Sequence, residues 1–171
     1  FQMMSPEWFI CLAVYNTKSI GTAIVMAYNR SQNRLYRYER KLPGLLLKVP
    51  AGLHDSHAYY HGPGFRIDIF NELKHNRFRV SFTAKNFKNL PDITASFTAR
   101  HVTEPIVIVQ PFGPNRPLYS HKALMPAEGH LILNGRESVF EPGASCMIVD
   151  DHKGFYPYTM RYDWVTGCGY D

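Results

Sequence analysis

The sequence predicts an all-β, antiparallel domain: a barrel or strongly bent sandwich with no substantial helix. Three observations carry that reading. Apolar residues recur with period two in window after window, turn residues punctuate the chain about every ten residues, and no window of about ten residues keeps a helical period. Phe and Tyr, 11 of each, suit pleated surfaces on which rings pack against cross-strand neighbours.

Taken in order, residues 9–15 and 23–28 are continuous apolar runs, short enough for strands with both faces covered. Phe65, Ile67 and Ile69 alternate with Arg66 and Asp68, the pattern of a half-buried strand. Phe78, Val80, Phe82 and Ala84 alternate with Arg77, Arg79 and Lys85, and Ile93, Ala95, Phe97 and Ala99 with Thr94, Ser96, Thr98 and Arg100. Residues 105–109 and 146–149 are again continuous apolar runs, expected to lie against the core or a neighbour. Near the end, Tyr158, Met160, Tyr162 and Trp164 alternate with Thr159, Arg161 and Asp163. Between these windows stand Asn29 and Asn33, Gly62-Pro63-Gly64, and the stretches 71–76, 86–91 and 111–117. Asn134-Gly135, flanked by 131–133 and 138–140, is the strongest local hairpin signal, because a type I′ turn needs two residues that tolerate positive φ.

A chain of 171 residues matches one ordinary domain and buries enough surface to fold without disulfides or a metal. Cys11, Cys146 and Cys168 are odd in number and far apart, with no Cys-x-x-Cys pair, so neither a disulfide framework nor a zinc knuckle is indicated. A reducing, cytoplasmic setting is the simplest expectation. No run of about 18 apolar residues offers a membrane span, and no segment has the pattern of a signal peptide. The ends, at Phe1 close to a strand and at Asp171 straight after one, read as cuts from a larger chain. The net charge of +5 rests mainly on 30–41 and 74–88, and in the second of these the charges alternate with apolar residues as they do on a solvated sheet face. Without a recognised nucleic-acid motif, no nucleic-acid partner is expected.

The usual signatures of catalysis are missing: no Gly-x-Ser-x-Gly elbow, no phosphate-binding glycine loop, no His-Glu-x-x-His. His54-x-x-His57-x-x-x-His61 is the densest metal-like spacing. On an extended 58–61, however, His57 and His61 share a face while His54 lies in the preceding turn, so no metal and no cofactor is expected. Ser120-His121 is no triad, since neighbours on a strand point to opposite faces. Residues 118–169 are different, because Lys122, Glu128, Asp150, Asp151, His152, Lys153, Arg161 and Asp163 could supply proton donors, proton acceptors and anion clamps. The competing explanation is a set of paired surface charges beside a Gly-Pro turn, and on residue chemistry alone it is the stronger.

The same stretch carries a resemblance. Tyr119-Ser120-x-Lys122, Pro126-Ala127-x-Gly129, Asp150-x-x-Lys153-Gly154-x-x-Pro157-Tyr158 and Tyr162-Asp163-Trp164-Val165-Thr166 follow one another as in the bacterial family known as domain of unknown function 2804, which this chain resembles. Lys153 stands where that family has Arg, Tyr162 where it has Trp, and Asp163 where it has Asn. A lysine offers one charge without the planar fork needed for bidentate anion binding. The family is similar to tandem lipocalin-like proteins that include carotenoid hydratases. The resemblance thus implies a lipocalin-like barrel spanning residues 1–171, the first of two in its polypeptide.

The resulting expectation is a lipocalin-like domain binding an apolar or amphipathic small molecule, of lipid or isoprenoid type, whose part in a hydratase or isomerase reaction is left open. The alternative is a non-catalytic structural or interaction domain. The expected partners are such a small molecule and a second lipocalin-like domain. The candidate site is Tyr119, Lys122, Asp150, His152, Lys153, Tyr158, Arg161, Asp163 and Trp164. Period two separates Tyr158, Tyr162 and Trp164 from Arg161 and Asp163, so the aromatic and charged sets face opposite ways. A cleft between two barrels is favoured for the charged set, because a Gly-Phe-Tyr-Pro turn links it to 150–153. A barrel interior filled by its own side chains would favour the interaction reading instead.

Overall fold

The computed structural model describes residues 1–156 and 159. Among these residues, twelve antiparallel strands form one strongly curled sheet, a half barrel. In chain order they are β1 (Gln2–Met4), β2 (Trp8–Asn16), β3 (Ile20–Asn29), β4 (Arg34–Pro43), β5 (Ser56–Gly62), β6 (Phe65–Glu72), β7 (Arg77–Ala84), β8 (Ile93–Arg100), β9 (Ile106–Pro111), β10 (Pro117–Leu133), β11 (Arg136–Phe140) and β12 (Cys146–Gly154). The helical content of the described residues is two single 3-10 turns, Gly44–Leu46 and Leu73–His75. No helix among them is long and apolar enough to cross a membrane.

The sheet runs β4-β3-β2-β1-β12-β10-β8-β7-β6-β5, and its curl is built on β10. The first part of this 17-residue strand pairs with β12 on one edge and β9 on the other, from Leu118↔Gly154 to Pro126↔Cys146 and from Pro117↔Pro111 to Lys122↔Ile106. From Ala127 onward it pairs with β8, and from Gly129 with β11. The handover falls on Pro126, which has no N–H for a ladder, and on Gly129, whose φ of +150° favours glycine. A Cβ on Gly129 would overlap the Ser96 carbonyl oxygen. The Pro-Ala-x-Gly segment is therefore a bend, placed where one strand serves two halves of the sheet.

The alternating windows place their apolar residues inside. Phe65, Ile67 and Ile69 of β6, Phe78, Val80 and Phe82 of β7 and Ile93, Ala95 and Phe97 of β8 meet Trp8, Ile10 and Leu12 of β2 and Tyr36 and Tyr38 of β4 in one core. Rings fill it: Phe97 lies 4.8 Å from Phe140, Phe65 lies 5.3 Å from Phe87, and Tyr38 lies 5.8 Å from Phe87. The Tyr38 hydroxyl donates to the Pro91 carbonyl at 2.8 Å, and burial, aided by Tyr36 and Asp92, pushes its pKa up. The Trp8 indole N–H donates to Ser138 Oγ at 3.0 Å, tying β2 to β11. Asn134 and Gly135, with φ of 49° and 83°, close the β10–β11 hairpin as their residue types demand.

One strand departs from its expected environment. The run at 105–109 reads as covered on both faces, yet all six residues of β9 are exposed. Among the described residues the strand pairs with β10 alone, which leaves one edge and both faces open. The expected strand at 158–164 lies outside the described residues, except Thr159.

Candidate functional site

Pairing of β10 with β12 joins two segments that are thirty residues apart in the chain, and five candidate residues fall together there. Tyr119 stands opposite Lys153 and Lys122 opposite Asp150, while Ser120 is opposite His152 and His121 opposite Asp151. Side chains alternate across a strand, so the register divides these residues between two faces. Tyr158, Arg161, Asp163 and Trp164 lie outside the described residues.

The inner face is the one shared with the core residues Ala123, Met125, Met147 and Val149. On it, rows run across β9, β10 and β12 as Val107–His121–Asp151 and Val109–Tyr119–Lys153. Lys153 Nζ donates to the Ala51 carbonyl at 2.6 Å, anchoring the end of β12 to the loop before β5. His121 is buried, and its ring stacks on His101 with centroids 6.0 Å apart and planes 15° from parallel. Among the described residues, neither His121 Nδ1 nor His101 Nε2, both buried, has a hydrogen-bond partner. Burial pushes the His121 pKa down, with His101 and His54 acting the same way and Asp151 opposing them.

A sign follows for stability. The unfolded chain takes up a proton on residue 121 near pH 6.5, whereas the folded protein resists until a lower pH, so this contribution is present above about pH 6.5 and is lost as pH falls. His121→Gln is expected to flatten the fall in stability between about pH 7.5 and 5.5, measured by urea unfolding. Equal slopes for the variant and the parent would remove His121 as the cause.

The opposite face carries Ile106–Lys122–Asp150 and Ile108–Ser120–His152 as its rows. The Asp150 side chain is only 5% exposed, with His152 Nε2 2.6 Å from Oδ1 and Lys122 Nζ 3.5 Å from Oδ2. Burial alone would raise the Asp150 pKa, but the His152 imidazole and then the Lys122 ammonium outweigh it, and the carboxyl sits below its ordinary range. Ser120 Oγ is buried without a hydrogen-bond partner among the described residues. A carboxylate, an imidazole, an ammonium and a hydroxyl thus share one patch, edged by two exposed isoleucines: a set able to hold a polar group and move a proton beside an apolar surface.

Elsewhere, two open clefts lie on the surface, one lined by His75, Asn76, Arg77, Arg100, His101 and Val102, the other by Thr98, Arg100, Pro126, Glu128 and Pro142. His57 Nε2 and His61 Nε2 each lie 2.8 Å from Asp68 Oδ1. Among the described residues, no three His, Cys, Asp or Glu side chains are grouped to hold a metal ion. Sequence reasoning missed His101, Arg77 and Arg100 and dismissed His121. Their association depends on cross-strand register and on the corner between β8 and β9, and no spacing signals it.

No curated protein and no solved structure matches this chain. A family model matches it from end to end, over residues 1–171. The chain belongs to the family described as domain of unknown function (DUF2804).

Proposed function

We propose that this chain is a lipocalin-like binding unit whose site lies on the β9–β10–β12 face, in a cleft completed by a second lipocalin-like unit of the same polypeptide. The ligand is an amphipathic small molecule of lipid or isoprenoid type. Its apolar part lies along Ile106 and Ile108 and its polar end meets Lys122, Ser120, Asp150 and His152. If the unit is catalytic, that trio of ionisable groups supplies the acid and base of a hydratase or isomerase.

The supporting observation is the edge strand β9. Exposed β-edges are ordinarily blunted by charge or by cover. Here β4 carries Arg34, Arg37, Glu39 and Lys41, and β11 carries Arg136 and Glu137, whereas the aliphatic run of β9, Ile106 to Val109, has no charge at all. Those four residues are exposed between 39% and 71%. An uncharged, two-faced apolar edge is suited to receive another strand. Because the half-barrel interior is occupied by the chain's own rings, the ligand is placed outside it.

The test is hydrogen exchange on the whole protein, with native mass spectrometry for a retained small molecule. Residues 106–111 are expected to exchange as slowly as β12, and Ile108→Lys is expected to speed them and release the ligand. Rapid exchange at 106–111 in the parent would remove the reading. The filled interior favours a second reading, a purely structural or interaction domain. Slow exchange with no retained molecule would select it.

A further inference from the structure

The cleft at the ends of β7 and β8 is built from cations that the fold leaves incompletely neutralised. Arg77 and Arg100 stand directly opposite each other in the β7–β8 pair, where like charges repel. The carboxylate at hand is Glu72, and it is already committed: Arg77 Nε donates to it at 2.5 Å and Arg79 Nη2 at 2.7 Å. Hydrogen bonds from Arg79 and then Arg77 outweigh a contribution from burial and draw its pKa down to about 2, so it stays ionised and held.

Arg100 makes no ion pair or side-chain hydrogen bond among the described residues. Glu128 lines the neighbouring cleft that Arg100 also borders, yet it forms no ion pair with it. Of the two guanidiniums that line a cleft of about 350 Å³, Arg77 shares Glu72 with Arg79 and Arg100 has no counter-ion among the described residues, so the cleft keeps a net positive charge. His101 borders the same cleft, with its ring turned toward Phe78 and His121. Lys74 does not relieve the imbalance or add to it, because Asp55 holds it at 2.7 Å.

We propose that this cleft binds a phosphate monoester dianion, held between the guanidiniums of Arg77 and Arg100. A dianion gains more than a monoanion from two guanidiniums that face each other with one shared counter-charge between them and Arg79. Guanidiniums also present the planar fork that suits phosphate oxygens. The site uses none of the residues of the β9–β10–β12 face and stands or falls separately from the function proposed for that face.

The experiment is calorimetric titration of the whole protein at constant ionic strength with inorganic phosphate and, separately, with octyl phosphate, sodium chloride serving as the blank. Arg100→Gln, Glu128→Gln and Arg34→Gln are compared with the parent. All three positions are exposed, so folding is expected to survive, and Arg34→Gln controls for net charge alone. Saturable binding of one phosphate is expected, weakened at least about tenfold by Arg100→Gln, tightened by Glu128→Gln and little changed by Arg34→Gln. Octyl phosphate binding about tenfold tighter than inorganic phosphate would assign the site to the head group of an amphipath, and equal affinities would assign it to free phosphate. No saturable heat with either probe, or equal effects of Arg100→Gln and Arg34→Gln, would overturn the proposal.

Discussion

Gly129→Ala is expected to destabilise the protein by about 4 kcal/mol, combining a strained φ with overpacking against immovable backbone. Gly129 has a φ of +150°, and an added Cβ would overlap the Ser96 carbonyl oxygen and lie 2.8 Å from Phe97 Cα. Both neighbours belong to β8, which is paired to β10 through this very stretch, so relief requires the two strands to part. The damage would fall where β10 passes from β12 to β8, the joint that holds the two halves of the sheet in one core. Gly143→Ala is the control, since a Cβ there meets open space and the backbone is not in the positive-φ region. It is expected to stay within about 0.5 kcal/mol of the parent. Urea unfolding of the two variants beside the parent decides the matter, and a Gly129→Ala protein as stable as the parent would show that the strands yield more easily than their pairing implies.

Asp150→Ala is expected to cost about 2 to 3 kcal/mol at pH 7. Breaking a fully buried pair typically costs about 3 to 5 kcal/mol, and water reaching the partners reduces that. The carboxylate side chain is 5% exposed, while His152 and Lys122 are each 28% exposed. Removing it leaves an ammonium and an imidazole side by side with less counter-charge. The pH dependence provides a sharper readout. The folded pKa of Asp150 is depressed, so its stabilising contribution is fully present above the unfolded value near 3.9 and is lost as pH falls through the folded value. The difference between the parent and Asp150→Asn is therefore expected to hold from pH 7 to about pH 5 and to shrink below about pH 4. A difference independent of pH would mean that packing, rather than charge, makes the residue matter. If the ligand's polar end does meet Lys122 and His152, both variants also lose the retained molecule.

What could be read from the amino-acid order is whatever a strand writes locally. Phe65, Ile67 and Ile69 turn inward, and Arg66 stays in water, because successive residues of a half-buried strand face opposite ways. Ile93, Ala95, Phe97 and Ala99 obey the same rule. Asn134-Gly135 makes its hairpin because those two residues tolerate positive φ. The order of motifs from Tyr119 to Gly154 carried the family, and through it the choice of β10 and β12 as the place to look.

The apolar run at 105–109 shows where this kind of reading stops. Period and composition reveal that both faces of β9 are apolar, but a chain cannot record locally what lies against them, and here both stand open. The candidate site divides along the same line. Sequence alone could propose Tyr119, Lys122, Asp150, His152 and Lys153 as neighbours, yet the pairing of Lys122 with Asp150 sets Tyr119 and Lys153 on the inner face and the other three on the opposite one. His101 against His121, and Arg77 against Arg100, depend wholly on register and on the corner after β8. Alternation along a strand is a property of neighbouring residues and belongs to the sequence. Register between strands is decided by core packing among residues far apart in the chain, and so only the folded sheet determined which charges meet.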